Sequence, residues 1–101
     1  MLTSNTLVCP HPSVVFTRLD AAEAVLLHLE TKRYYSLNET GARLWELLQA
    51  GQPPTGMAEA LQEEYIVTGA QAIAAVQAFL GELHQEGLVQ AQQDVRHIRY
   101  A

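Results

Sequence analysis

Four histidines, one cysteine and eleven acidic residues are the side chains of this 101-residue chain that could ligate a metal or move a proton. Cys9 and His11 stand two residues apart and could touch one metal ion. A structural zinc site needs about four ligands, and no second pair follows. His11, His28, His84 and His97 are widely separated and show no His-x-x-x-His spacing. Cys9 as a nucleophile would need a base held against it, and its segment offers no scaffold for one. Glu30 and the Glu63-Glu64 pair could act as general acid and base. Nothing in their spacing brings them to a shared pocket, so solvated charge at a strand or helix end is the stronger reading. Gly41 and Gly51 are isolated, so there is no glycine-rich phosphate loop. No catalytic site, no metal and no cofactor are expected.

Composition narrows the remaining classes. The chain is 49% hydrophobic and 17% charged, which is ordinary for a folded domain. Its length suffices for one domain with one modest core. No apolar run approaches the roughly 18 residues of a membrane span. Six basic residues against eleven acidic ones, a net charge of −5, disfavour a nucleic-acid surface, because phosphate contacts need clustered Lys and Arg. A lone cysteine leaves no internal disulfide. Met1 to Pro12 has neither the positive charge nor the apolar run of a secretory signal. The expectation is a cytoplasmic module with no membrane or nucleic-acid partner.

The elements read as strands followed by helices. Val14 to Leu19 is β-branched and aromatic, a strand by composition. Ala24 to Glu30 follows, with Val25, Leu27 and Leu29 sharing one face at period two. A third strand spans Arg33-Tyr34-Tyr35-Ser36-Leu37. Short connections make these an antiparallel meander. Neither turn contains Asn-Gly or Asp-Gly, which leaves the turn types open. Asn38 is a good N-cap for a helix running towards Gly51, with Leu44, Trp45, Leu47 and Leu48 on its buried face. Pro53-Pro54 breaks the chain. Thr55 can cap a second helix to Tyr65, with Met57, Ala60, Leu61 and Tyr65 near one face. Thr68 and Gln71 have the form of a capping box opening a third helix to Glu86, and Gly87 stands where a left-handed C-cap would lie. Residues 1–12 read as an irregular lead-in that could add an edge strand, 13–89 as the domain, and 90–101 as a polar tail.

The third helix has two informative faces. Ala72, Ile73, Val76, Phe79, Leu80 and Leu83 form a core arc. Beside it runs a stripe of small residues, Ala70, Ala74, Ala78 and Gly81, bordered by Gln77 and His84. The stripe fits either close packing against another element or one wall of a shallow groove for an extended peptide, and pattern alone favours packing. A meander followed by three helices resembles a winged helix-turn-helix. A recognition helix should present basic or amide groups to DNA. This one has no Lys or Arg and carries Glu82, with Glu86 at its end. The third strand ends the meander, so its outer edge is a candidate for strand addition, by a peptide or by a second copy of the chain.

Lys32-Arg33-Tyr34-Tyr35-Ser36-Leu37-Asn38-Glu39-Thr40-Gly41-Ala42-Arg43-Leu44-Trp45-Glu46-Leu47-Leu48 resembles the PqqD family: an aromatic strand, Leu-Asn-Glu-Thr-Gly-Ala, then an aliphatic-Trp-aliphatic helix. The resemblance extends over roughly 14–89, through the Pro-Pro break, Leu61 to Tyr65, Phe79 to Leu83 and Gly87-Leu88-Val89. It implies an α+β fold, a three-stranded antiparallel β-meander followed by three helices, winged helix-turn-helix-like. It also implies a non-catalytic recognition element that takes the leader of a ribosomally made precursor peptide as an added strand beside the third strand, in a groove walled by the third helix. On this sequence the strand edge falls at Arg33, Tyr34, Tyr35, Ser36 and Leu37. The facing wall falls at Ala74, Gln77, Ala78 and Gly81, with Val76, Leu80 and Leu83 below or beside it. The implied partners are a leader peptidase and a cyclase in lasso-peptide biosynthesis, which the Tyr34 to Gly41 wording resembles more closely, or a radical enzyme in pyrroloquinoline quinone biosynthesis.

Overall fold

In the computed structural model, residues 8–91 are described. The order is β1 (Val8–Pro10), β2 (Val14–Arg18), β3 (Glu23–His28), β4 (Arg33–Asn38), α1 (Glu39–Gln49), α2 (Pro54–Glu64), α3 (Gly69–Gln85) and β5 (Val89–Ala91). The α+β arrangement, a meander β2-β3-β4 followed by three helices, is the one expected.

Side-chain chemistry and backbone conformation shape both hairpin turns. At β2–β3, Asp20 Oδ1 accepts the backbone N–H groups of Ala22 and Glu23 at 2.8 and 2.9 Å, an Asx-type turn. At β3–β4, Lys32 takes a left-handed conformation, φ +64°, and its N–H donates to the His28 carbonyl. The central strand departs from the periodicity reading. Ala24, Leu26 and His28 are its buried residues, while Val25 and Leu27 are half-buried on the opposite face and Leu29 is exposed. Apolar residues occupy both faces of β3, so alternation alone could not choose the side that α1 covers.

Helix ends follow their local signals. Asn38 Oδ1 accepts the Gly41 N–H at 2.8 Å. The Thr68/Gln71 capping box is complete, at 3.1 and 2.9 Å. Pro53, not Thr55, precedes α2, because Pro54 has the φ of a first helical residue built in. α3 ends in a Schellman motif: Leu88 N–H reaches Leu83 O and Gly87 N–H reaches His84 O, with Gly87 at φ +74°. Leu83 and Leu88 are both buried and complete it. Gly87→Ala should therefore cost roughly 1–2 kcal/mol, the left-handed penalty for a residue with a Cβ, read as a lowered urea midpoint.

Val8–Pro10, in the lead-in expected to be irregular or to add an edge strand, pairs antiparallel with Val89–Ala91, which straddles the expected boundary between domain and polar tail, and the two form a second sheet. Three-residue strands are too short for a period-two pattern, and their pairing joins the two ends of the described chain. Residues 1–7 of the expected lead-in and 92–101 of the expected tail lie outside the described residues. Trp45, Leu26, Leu44, Leu48, Met57, Leu88 and Val76 are the largest fully buried side chains, and Phe16 stacks on Trp45 with centroids 6.4 Å apart. α1 packs on β1, β3, β4 and α2, whereas α3 packs chiefly on α2 and β5. That division leaves a trough between α3 and β4.

Candidate functional site

The ladder geometry shows which backbone groups of β4 are free. Leu29 N–H donates to Ser13 O and Leu19 N–H to Glu23 O, continuing the β2–β3 register in which Val15 faces Leu27. The odd-numbered residues of β3 therefore bond to β2, and Ala24, Leu26 and His28 turn their backbone groups to β4. Their partners are Leu37, Tyr35 and Arg33. The intervening residues, Tyr34 and Ser36, direct N–H and C=O away from β3, to the open edge. Side chains alternate too: Tyr35 and Leu37 face the helices, while Tyr34, 72% exposed, stands on the other face of the sheet.

Two adjoining hollows, about 380 and 310 Å³, make up the trough beside this edge. Both are bordered by Ser36, Leu37, Phe79 and Glu82. One runs towards Glu86 and Leu88, the other towards the start of α1 at Thr40 and Gly41. The first end is bridged: Tyr35 Oη donates to Glu86 Oε1 at 3.2 Å, and Arg33 Nη1 lies 3.8 Å from the same oxygen. Leu37 and Leu83 supply an apolar floor. An unpaired strand edge beside an apolar trough can accept an extended chain, the edge supplying main-chain bonds and the trough selecting alternate side chains.

The sequence-derived site residues divide between the trough and other surfaces. Tyr35, Ser36, Leu37, Ala78 and Leu83 line the trough, and Arg33 reaches it through Glu86. Val76 and Leu80 are buried core beneath α3. Ala74, Gln77 and Gly81 are exposed and do not border the trough; Gln77 and Val76 instead edge a separate hollow with Pro54, Thr55 and Ile73. The wall is made by Ala75, Ala78, Phe79 and Glu82. At 100° per residue Phe79, Ala75 and Glu82 lie on the flank of the core arc facing β4 and Ala78 follows them round the same side, whereas Ala74 and Gly81 lie nearly opposite the core and border no part of the trough. Phe79, read as core, is half-buried, and Ile73 is exposed. A Cβ on Gly81 would meet nothing within 4 Å. Gly81→Ala should raise stability by about 1 kcal/mol through helix propensity, seen as a higher melting temperature, with peptide affinity unchanged.

Two other clusters were not legible in the spacing. Arg43 of α1 makes a forked ion pair with Glu64 of α2, with contacts of 2.9–3.1 Å. The Arg43 hydrogen bond holds the Glu64 carboxyl below its usual range. His11, His28 and Glu30 gather with ligand-capable atoms within 4.8 Å of one another. Each imidazole Nδ1 accepts a backbone N–H, from Ser13 at 3.0 Å and from Glu30 at 3.2 Å. Those lone pairs are occupied in holding two turns, and Ser13 Oγ donates to Glu30 Oε2 between them. Cys9 is a half-buried free thiol in β1. No helix among the described residues is long and apolar enough to cross a membrane.

Comparison with known proteins bears on the same region. A family model described as Coenzyme PQQ synthesis protein D (PqqD) matches residues 23–89. The structure of TbiB1 in complex with the TbiA(beta) leader peptide is similar with a TM-score of 0.79 and 32% identity, covering 85% of this chain and 99% of that one. Lasso peptide synthetase B1 complexed with the leader peptide is similar with a TM-score of 0.76 and 26% identity, covering 83% and 98%. A comparison with curated proteins returned no match.

Proposed function

Because the chain belongs to the PqqD family, we propose that it is a non-catalytic leader-peptide-binding protein. It captures a ribosomal precursor peptide by strand addition to β4 and presents it to maturation enzymes, a leader peptidase and a cyclase of lasso-peptide biosynthesis, in the cytoplasm. The observation that carries this reading is the free Tyr34 and Ser36 backbone edge lying along the trough. Those two residues offer four main-chain groups, each bond contributing roughly 0.5–1.5 kcal/mol net. Two or three apolar side chains entering the trough would add about 1.5–3 kcal/mol each, offset by ordering of the peptide. Micromolar or tighter affinity follows. The similar solved structures, both complexes with leader peptides, support the lasso branch.

The family description itself favours a second reading, presentation of a precursor to a radical enzyme in pyrroloquinoline quinone biosynthesis. A DNA-binding role is opposed by the absence of Lys and Arg from α3. Fluorescence anisotropy with labelled lasso and quinone-precursor leaders, and duplex DNA as control, separates the three. The expected result is saturable binding of a lasso leader that survives moderate salt. Preference for the quinone leader would select the second reading, and salt-sensitive DNA binding without peptide binding would sink both.

A further inference from the structure

The trough is apolar along its floor and acidic along its helical wall, and its two carboxylates are not equivalent. Glu86 has a counter-charge in Arg33 and a hydrogen bond from Tyr35. Glu82, one helical turn earlier and exposed, borders both hollows. Among the described residues no cation forms an ion pair with it. The arginines of the described region are engaged elsewhere, Arg18 with Glu46 and Arg43 with Glu64 and Glu46. A strand laid along β4 would strip water from Glu82, and a carboxylate losing water without a partner is unfavourable. An acidic residue beside it would add repulsion, whereas a cation there turns the same burial into attraction.

Resting on the leader-binding reading, we propose that Glu82 is the specificity-determining residue of the groove, selecting a leader segment that carries Lys or Arg two positions from an apolar anchor. The anchor sits over Leu37 and Phe79, which border both hollows. The spacing follows from the two periodicities. Same-face residues of an extended strand repeat about every 6.6–6.8 Å. From Phe79 to Glu82 the helix rises about 4.5 Å, and from Glu82 to Glu86 about 6 Å, at 1.5 Å per residue. An anchor at Phe79 therefore places its next inward side chain alongside Glu82, short of the Arg33–Glu86 pair that already balances the far end.

The test is selection of a displayed library of random dodecapeptides against the full-length protein, Glu82→Lys and Ala78→Trp. Both altered side chains are exposed, so folding should be retained, and circular dichroism checks it. The native protein should enrich Lys or Arg two positions from an apolar residue, and Glu82→Lys should enrich Asp or Glu there. In the best native-selected peptide, replacing the cation by norleucine should weaken binding about 3–10-fold, an effect that shrinks at high salt. Identical enrichment by the native protein and Glu82→Lys, with Ala78→Trp abolishing selection, would overturn the role of Glu82 while leaving the groove intact. Selection that survives Ala78→Trp unchanged would overturn the groove reading and this inference with it.

Discussion

Ser36→Pro is expected to leave the domain folded and to weaken leader binding on the order of tenfold or more. The argument is one of direction. The Ser36 N–H points away from β3, so a proline there removes no bond of the β3–β4 ladder. It removes a donor that an incoming strand needs, and the pyrrolidine ring projects into the space that strand would occupy. The lost bond alone accounts for roughly 0.5–1.5 kcal/mol, and the steric block adds to it. Tyr35→Pro is the informative contrast. Tyr35 bonds to Leu26 across the ladder, so its replacement should lower the urea midpoint of the free protein. Equal affinity for native protein and Ser36→Pro in the anisotropy titration would mean that the peptide does not add to β4.

Trp45→Ala should have the largest effect on stability, about 3–5 kcal/mol. Trp45 is completely buried, at 0% exposure, and heads the fully buried side chains by volume. It stacks on Phe16 of β2 from its place on α1, so its loss opens a cavity between helix and sheet. A domain of this size has about 5–15 kcal/mol in total, so the urea midpoint should fall by about 2 M. The indole also carries a penalty: Nε1 is buried without a hydrogen-bond partner among the described residues. Trp45→Phe removes that orphaned donor while keeping a ring against Phe16. It should cost less than half as much as alanine. If the two substitutions cost the same, the orphaned N–H is not a burden and the ring–ring contact contributes little.

Local chemistry explains which parts of the fold were legible. Asn38, the Thr68/Gln71 pair and Gly87 each act through one or two hydrogen bonds with residues a few positions away, so sequence spacing alone locates them. The β1–β5 pairing depends on contacts between residues some eighty positions apart, with three residues to a strand, and nothing local encodes it. On β3, apolar side chains on both faces hid which face was inner.

The candidate site divides in the same way. Its strand half was legible because a meander must end in an edge, and Arg33 to Leu37 is the last strand. Its helix half depends on the rotation of α3 about its own axis. The residues bordering the trough, Ala75, Ala78, Phe79 and Glu82, include an aromatic and an acid. The small-residue stripe drew attention to Ala74 and Gly81, which face away from β4. Phase could have been set by the flank of the core arc, since Phe79, Ala75 and Glu82, next to it on the β4 side, border the trough.

The most direct measurement is amide hydrogen exchange, residue by residue, on the free protein and on the protein saturated with a leader that binds in the anisotropy assay. Free amides on a sheet edge exchange faster than those in a ladder. In the free protein the Tyr34 and Ser36 amides should exchange quickly, and the Tyr35 and Leu37 amides slowly. On binding, Tyr34 and Ser36 should become protected while Tyr35 and Leu37 change little. That alternation is the mark of a strand added to β4. Unchanged exchange at Tyr34 and Ser36, with new protection at β2 or beside the α2–α3 hollow, would contradict the account and place the peptide elsewhere.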